Sequence, residues 1–348
     1  MKAQSVLGPV AESKLGLTLF HEHLLFDFMV CLMAPKTPKE QIMADHSLAP
    51  ETRGALRFNP CLVPDNLLHT DIELAIEEVK AFTEVGGSTI VDPTNVSIGR
   101  DPEGLKKIAE ATGLNIIMGA GYYYQIAFLE NFTARSEKDI EAEIINDITV
   151  GVADTGICAG LIGEIGSSSP ITADEEKSLR AAARAQAATG APLMIHLDGW
   201  QREGNRVLDL IEDAGGDVTR TVLCHLNPAW FDIEYQISLL DRGAVLEFDM
   251  FGNDHYYPGN DFVSINRAAP DELVALKAMA KLIERGYVEQ LLISQDVYLK
   301  MMLCKYGGYG YAHLFNNLPP YFKEAGITQA SRDVMMIENP RRLLAFLP

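Results

Sequence analysis

Short apolar runs rich in β-branched residues alternate along this chain with longer stretches in which apolar residues recur every three or four positions. This alternation is typical of β-α-β units that join into one parallel sheet. Eight runs are found: Leu17–Phe20, Ser88–Val91, Asn115–Ala120, Gly160–Ile165, Pro192–Ile195, Thr221–Cys224, Ala244–Phe248 and Gln290–Ile293. Eight strands with intervening helices predict an α/β fold of the (β/α)₈ TIM barrel type, and a doubly wound open sheet is the alternative.

The stretches between the runs have the periodicity of amphipathic helices. They are Ile72–Val85, Pro102–Thr112, Glu137–Val150, Ala173–Thr189, Arg202–Ala214, Phe231–Leu240 and Asp271–Arg285. Several are followed directly by a glycine, namely Gly86, Gly113, Gly190, Gly215 and Gly286. A glycine at this position is typical of a left-handed C-cap and therefore indicates where the helix ends.

Two long segments interrupt the alternation, near residues 29–68 and 252–270. Insertions of this length inside a compact domain are usually lids or binding loops, and partial disorder is the alternative. Barrels of about 250 residues remain one domain when they carry insertions. We therefore expect residues 1–348 to form a single domain.

Charge and hydropathy narrow the partners and the location. The chain has 29 basic and 48 acidic residues, a formal net charge of −19, which repels polyanions and argues against a nucleic acid partner. No apolar stretch approaches the roughly 18 residues of a membrane span. Residues 1–15 lack a basic segment followed by a long apolar run, so a cytoplasmic protein without membrane contact is predicted. A homodimer is compatible with the sequence.

Polar residues that can bind metal follow several of the predicted strands. His21 and His23 come directly after the first strand, where alternate side chains of an extended backbone point the same way. His196 ends the fifth strand, His225 follows the sixth and Asp296 follows the eighth. Alone, each is more often a hydrogen-bonded core or rim residue. In a barrel, however, these strand ends lie on one ring that carries active sites, so the five side chains are predicted to converge.

Glu164 is the sixth predicted ligand. It lies within the apolar fourth strand, where an isolated carboxylate would need a charged partner or a proton. Two divalent metal ions would be that partner. Imidazole and carboxylate ligands without thiolate suit Zn²⁺, with Mn²⁺, Co²⁺ or Fe²⁺ as alternatives, and two ions can share a bridging carboxylate and hydroxide. Asp296 can then bind one ion and accept the proton of the attacking hydroxide.

Together these residues make the chain resemble the phosphotriesterase family of the amidohydrolase superfamily over nearly its whole length. The resemblance is carried by Gly16–His23, Gly163–Gly166, His196, His225 and Asp296 in family order, and by Thr89–Asp92, Gly99–Asp101, Lys305–Tyr311 and Ile337–Pro340, which match the phosphotriesterase-related branch.

The resemblance implies a role for each ligand. His21 and His23 would hold the more buried ion together with Asp296, His196 and His225 would hold the other, and Glu164 would bridge the two. The phosphotriesterases proper have a carbamylated lysine at the bridge. Glutamate presents the same carboxylate on a shorter arm, so the resemblance implies a different seating of the ions and does not carry phosphotriesterase activity over.

Loop residues after the strands are predicted to contact the substrate. Tyr122, two residues after the third strand, is predicted to donate its hydroxyl to a bound carbonyl or to the hydroxide, with a packed rim tyrosine as the alternative. Candidate pocket residues are Trp200, Phe251, Tyr256 and Tyr257. Candidates for binding an anionic substrate group, or else solvated loop residues, are Arg100, Arg202, Arg267, Lys300 and Lys305.

Three functions are open at this point. We favour hydrolysis of a carboxylic ester, lactone or amide bond of a small molecule, in which hydroxide attacks a planar carbonyl and a metal stabilises the oxyanion. Hydrolysis of a phosphoric ester or phosphotriester is the first alternative. A non-catalytic small-ligand-binding protein is the second, and the complete ligand set argues against it because a binding protein has no need of an activated hydroxide.

Overall fold

The computed structural model describes residues 1–258 and 266–347. Its main sheet has eight strands that follow one another in chain order, each parallel to its neighbours. They are β1 (Leu17–Leu19), β2 (Gly87–Asp92), β3 (Asn115–Ala120), β4 (Leu161–Ser167), β5 (Leu193–Leu197), β6 (Thr221–Leu223), β7 (Val245–Phe248) and β8 (Leu291–Ile293). All eight predicted strands are present, with bounds that differ from the predicted ones by at most two residues.

The first and last strands meet just beyond their carboxyl ends. The backbone N–H of Asp296 donates to the carbonyl of His21 at 3.0 Å, and that of His23 donates to the carbonyl of Val297 at 3.2 Å. The buried carboxylate of Glu22 also accepts the backbone N–H of Val297 at 3.0 Å. These bonds bring the two edges together, which confirms the predicted (β/α)₈ barrel and excludes the open sheet.

Seven helices lie between successive strands, as the periodicity predicts. They are α1 (Ile72–Glu84), α2 (Pro102–Thr112), α3 (Glu137–Thr149), α4 (Ala173–Thr189), α5 (Gly204–Asp213), α6 (Ile233–Leu240) and α7 (Glu272–Glu284). The five glycines expected at their ends all have positive φ, between 75° and 93°. This left-handed conformation confirms the predicted helix ends.

The remaining elements are short. Antiparallel pairs are Lys2–Ser5 with Gly8–Ala11, Phe26–Asp27 with Leu68–His69, and Tyr256–Tyr257 with Arg267–Ala268. After β8 come the helices His313–Asn316, Pro319–Ala325, Gln329–Asp333, the π-helical Val334–Glu338 and Asn339–Leu344. Within residues 1–258 and 266–347, no helix has the length and apolar character needed to cross a membrane.

The first insertion is folded. It contains the helices Pro38–Ala44, Pro50–Leu56 and Pro64–Leu67. Each begins with a proline, which suits the first helical position because the missing N–H would have no partner there. The second insertion is described only in part, since residues 259–265 lie outside the described residues.

Apolar side chains fill the barrel below the carboxyl ends of the strands. Each strand, or the residue directly after it, contributes to this layer, which contains Phe20, Val91, Ile117, Leu161, Met194, Val222, Val245 and Leu292. All of these side chains are buried. The polar residues at the strand ends therefore lie on an apolar floor that excludes water from one side.

Arg100, a candidate for substrate binding, has a structural contact instead. Its side chain donates to Asp147 at 2.8 Å and to the carbonyl of Gly119 at 3.1 Å, with only 5% of the arginine side chain exposed.

We expect Arg100→Ala to lower the free energy of unfolding by about 3 kcal/mol, because Asp147 would remain buried without its partner. Urea denaturation measures this change. The exposed Lys107→Ala is the control, and equal stability of the two variants would contradict the prediction.

Candidate metal centre

The six predicted ligands lie together at the carboxyl ends of the strands, with Glu164 in the middle. Its Oε2 lies 2.7 Å from Nδ1 of His196, 3.5 Å from Nε2 of His21 and 3.7 Å from Nε2 of His225. Its Oε1 lies 3.4 Å from Nε2 of His23. The side chain of Glu164 is 1% exposed. One carboxylate thus faces all four imidazoles, as a bridging ligand would.

Asp296 closes the cluster on the side of β8. Its Oδ1 lies 3.4 Å from Nε2 of His23 and 3.7 Å from Nε2 of His21, and its Oδ2 lies 3.9 Å from His225 Nδ1. The Asp296 side chain is 11% exposed. It is therefore more accessible than Glu164 and can reach a molecule above the cluster.

The backbone is specialised at the residues that form the site. His225 and Asp296 have φ of 62° and 51°, in the left-handed region that residues other than glycine seldom adopt. Each lies a few residues after the end of its strand. The backbone is no longer extended there and turns the side chain towards the cluster. Such strain is concentrated at functional sites.

Glycines make room for Glu164 on β4. Gly163 has φ of 135°, and a Cβ there would lie 2.4 Å from the carbonyl oxygen of Met194 on β5. A Cβ at Gly166 would lie 2.4 Å from backbone atoms of Tyr123. The glycines that flank Glu164 in the sequence are thus required by close backbone contacts.

The donor atoms fit a metal centre. Nε2 of His21 is buried and has no hydrogen-bond partner within the described part of the chain, an arrangement that is unfavourable unless a further group binds it. The 3.4–3.7 Å separations between His21, His23, Glu164 and Asp296 exceed hydrogen-bond distance. They are close to the spacing of ligands that share one ion at about 2.1 Å.

Burial alone would lower the pKa values of His21, His23 and His225, but the surrounding carboxylates raise all three, so the cluster favours positive charge. Burial alone would raise the pKa of Glu164, but His196 and His21 hold it well below its usual value. Burial and the neighbouring His225 lower the pKa of His196. Burial alone would lower the pKa of His23, but Asp296 and Glu164 raise it to about 9. The anionic form of Glu164 binds metal, and a cation bound in the cluster would replace the protons that the carboxylates otherwise stabilise on the imidazoles.

Two carboxylates at the end of β7 belong to the site and were not predicted. Asp249 accepts the backbone N–H of His225 at 3.1 Å and lies 3.0 Å from its Nδ1, while its Oδ2 lies 3.2 Å from Nδ1 of His21. Glu247 lies 3.5 Å from the same nitrogen of His21 and 3.3 Å from the Cys224 thiol. Carboxylates in this position orient ligating imidazoles. The sequence signal that could have identified them is the spacing of Glu247 and Asp249, which alternate along the chain as His21 and His23 do.

The structure places Tyr122 away from the cluster. Its side chain is buried, and its hydroxyl donates to Glu143 at 2.6 Å and accepts from Arg135. The predicted catalytic role of this hydroxyl is wrong, and the alternative of a packed tyrosine holds. The next two residues face the cluster instead, since the hydroxyls of Tyr123 and Tyr124 both contact Nε2 of His196.

A pocket opens above the cluster. Of the aromatic residues proposed for it, Trp200 and Tyr257 line the pocket, whereas Phe251 and Tyr256 do not. Both insertions contribute to its walls, the first through Cys31, Cys61 and Leu67, and the second through Tyr257 and Pro258. The predicted role of the insertions in covering the site is consistent with these contacts.

Comparison with known proteins gives related chains over the whole length. The phosphotriesterase family profile matches residues 1–344. N-acetyltaurine hydrolase of Xenopus tropicalis is 35% identical, over 99% of this chain and 98% of the relative. Phosphotriesterase-related protein of Nematostella vectensis is 36% identical over the same shares. The crystal structure of a resiniferatoxin-binding protein from Rhodobacter sphaeroides superimposes with a TM-score of 0.95 at 44% identity, over 99% of this chain and 94% of that chain.

Proposed function

Because this chain belongs to the phosphotriesterase family, we propose that it is a metal-dependent hydrolase that cleaves a carboxylic ester, lactone or amide bond of a small molecule. The observation that carries the proposal is the cluster of four histidines and two carboxylates at the floor of a pocket. The relative named N-acetyltaurine hydrolase supports an amide or a related carbonyl bond. A bond of this type presents a planar carbon that can be attacked from one open face.

The cluster divides into two overlapping donor sets. His21, His23, Glu164 and Asp296 would hold one divalent ion, and Glu164 with His196 and His225 would hold the second. Zn²⁺ suits these ligands best, with Mn²⁺, Co²⁺ or Fe²⁺ as alternatives. Ions bound there would lower the pKa of water towards 7 and polarise the carbonyl of the substrate.

The protein's own side chains have separate tasks. Asp296 lines the pocket and is the more accessible of the two carboxylates, so we assign it the role of accepting a proton during attack on the carbonyl. Asp249 holds His21 and His225 in their orientations from below. Phe28 and Trp200 in the pocket walls would exclude water from the bound substrate.

Paired kinetics on one metal-loaded preparation test the bond type. We expect kcat/KM for the best lactone, ester or amide to exceed that for the best phosphotriester by at least about a hundredfold. The physical reason is that a carbonyl needs one open face, whereas displacement at phosphorus also needs space in line for the leaving group. A better phosphotriester substrate would overturn the carbonyl assignment.

The alternative of a binding protein has a different signature. It predicts saturable binding of a small ligand with no product formed from any carbonyl or phosphoryl substrate, even with metal bound. Product analysis by mass spectrometry during the same screen separates this outcome from slow hydrolysis.

A further inference from the structure

The walls of the pocket above the cluster contain no lysine or arginine among residues 1–258 and 266–347. The sequence of 259–265, which belongs to the second insertion, contains none either. A substrate group with a negative charge would therefore find no cationic side chain on these walls. This distinguishes the pocket from the usual site for a carboxylate, sulfonate or phosphate, which an arginine or lysine binds.

The basic residues that follow the strands are engaged elsewhere. Arg202 donates to Asp232 at 3.0 Å, and its guanidinium lies 4.9 Å from the ring centre of Tyr235. Lys300 pairs with Asp65 on the first insertion. The remaining candidates, Arg100, Arg267 and Lys305, also lie outside the pocket lining. The sequence-based suggestion of an anion-binding residue thus has no support among the described residues.

The wall carries a carboxylate instead. Asp198, at the end of β5, lines the pocket and accepts the backbone N–H of Trp200 at 3.1 Å. It lies outside the six-residue cluster, so its charge is not assigned to holding a metal. Aromatic rings make up much of the surrounding surface, with the rings of Trp200 and Tyr257 4.7 Å apart and those of Phe28 and Tyr298 5.5 Å apart.

We propose that this pocket selects substrates whose non-reacting part is uncharged and apolar, and that Asp198 and the absence of a wall cation reject anionic substrates. This inference rests on the proposed hydrolase function and adds the substrate class. Aromatic walls bind alkyl or aryl groups through buried apolar area. An anion would lose part of its hydration there without gaining a lysine or arginine as a partner, and would be repelled by Asp198.

The inference separates this chain from its relatives named for N-acetyltaurine, an amide whose amine part ends in a sulfonate. It assigns to this chain a substrate with the same type of carbonyl bond but without the negative charge. A series with a constant reacting group therefore gives the sharpest test.

Three acetamides of the form CH₃CO–NH–CH₂CH₂–X make such a series, with X as phenyl, methyl sulfone or sulfonate. The sulfone matches the sulfonate in shape but is uncharged. We expect kcat/KM to fall in the order phenyl, sulfone, sulfonate, with phenyl above sulfonate by at least about a hundredfold. Because the reacting bond is constant, the difference reports on the pocket. Equal or faster cleavage of the sulfonate would overturn the inference and leave the hydrolase function intact.

Asp198→Asn tests the residue assigned to rejection. We expect this variant to lower the ratio of kcat/KM for the phenyl amide to kcat/KM for the sulfonate amide by about fivefold or more, through a lower KM for the sulfonate. Asp154→Asn is the matched control, because Asp154 is exposed on the loop before β4, at the opposite end of the barrel. It should leave the ratio unchanged. An unchanged ratio in Asp198→Asn would remove Asp198 from the proposal.

Binding provides a readout that does not need turnover. Trp200 lines the pocket, so its fluorescence should report the three amides in the metal-loaded protein, with Trp230→Phe removing the background of the second tryptophan. We expect Kd to be lowest for phenyl and at least about tenfold higher for sulfonate. If no acetamide is cleaved but this order holds, the bond assignment fails and the pocket inference stands. Tighter binding of the sulfonate would overturn the inference.

Discussion

Removal of divalent metal from the purified protein is expected to lower turnover by about 10³-fold or more, because water without a bound metal has a pKa near 15.7 and is a poor nucleophile at neutral pH. The six convergent ligands should hold about two ions per chain. Chelation followed by elemental analysis and a rate measurement on the same sample tests both statements.

Readdition of zinc or manganese provides the control, because restored turnover excludes irreversible unfolding by the chelator. Circular dichroism should show the same helical content with and without metal. Elemental analysis that finds no metal after reconstitution would remove the assigned centre. A value near one ion per chain would instead indicate a weak second site at Glu164, His196 and His225.

Asp296→Asn is expected to lower kcat by about 10²-fold or more while the fold is retained. The asparagine keeps the size of the side chain and one coordinating oxygen, but it cannot accept the proton. Asp296 lies on the pocket side of the cluster, 3.4 Å from Nε2 of His23. Steady-state kinetics on the favoured carbonyl substrate measure the change.

The metal content of Asp296→Asn determines how its loss of kcat is interpreted. If the variant retains the ions of the native protein, the loss in kcat belongs to proton transfer; if an ion is lost, the residue acts chiefly as a ligand. The exposed Asp154→Asn makes the same chemical change on the opposite face of the barrel and should keep native activity. A kcat near native for Asp296→Asn would exclude this residue as the base.

The convergence of the candidate metal ligands could be predicted because the order of strands along the chain fixes their positions around the barrel. His21, His196, His225 and Asp296 stand far apart in the chain, yet each lies at the carboxyl end of a strand of the same parallel barrel. Parallel strands present all their carboxyl ends at one face. A residue type and its place after a strand were therefore sufficient to bring these side chains together.

Tyr122 shows where this reasoning stops. Side-chain direction follows a period of two only while the backbone stays extended. Gly121 has φ of 112°, so the chain leaves the strand conformation directly before Tyr122. Tyr122 then turns towards Glu143, and Tyr123 and Tyr124 turn towards His196. Counting from the end of β3 could not show this change of direction.

The sequence by itself determined the strands, the helices, the glycine caps and the polar residues at the carboxyl ends of β1, β5, β6 and β8, because all of these depend on periodicity and turn chemistry within a few residues. The tertiary structure alone decided that Asp249 supports His21 and His225, that Arg100 pairs with Asp147, and that the pocket contains Asp198 and no described cation. These features are contacts between distant segments. They depend on how the barrel and its insertions pack, and packing leaves no periodic signal in the chain.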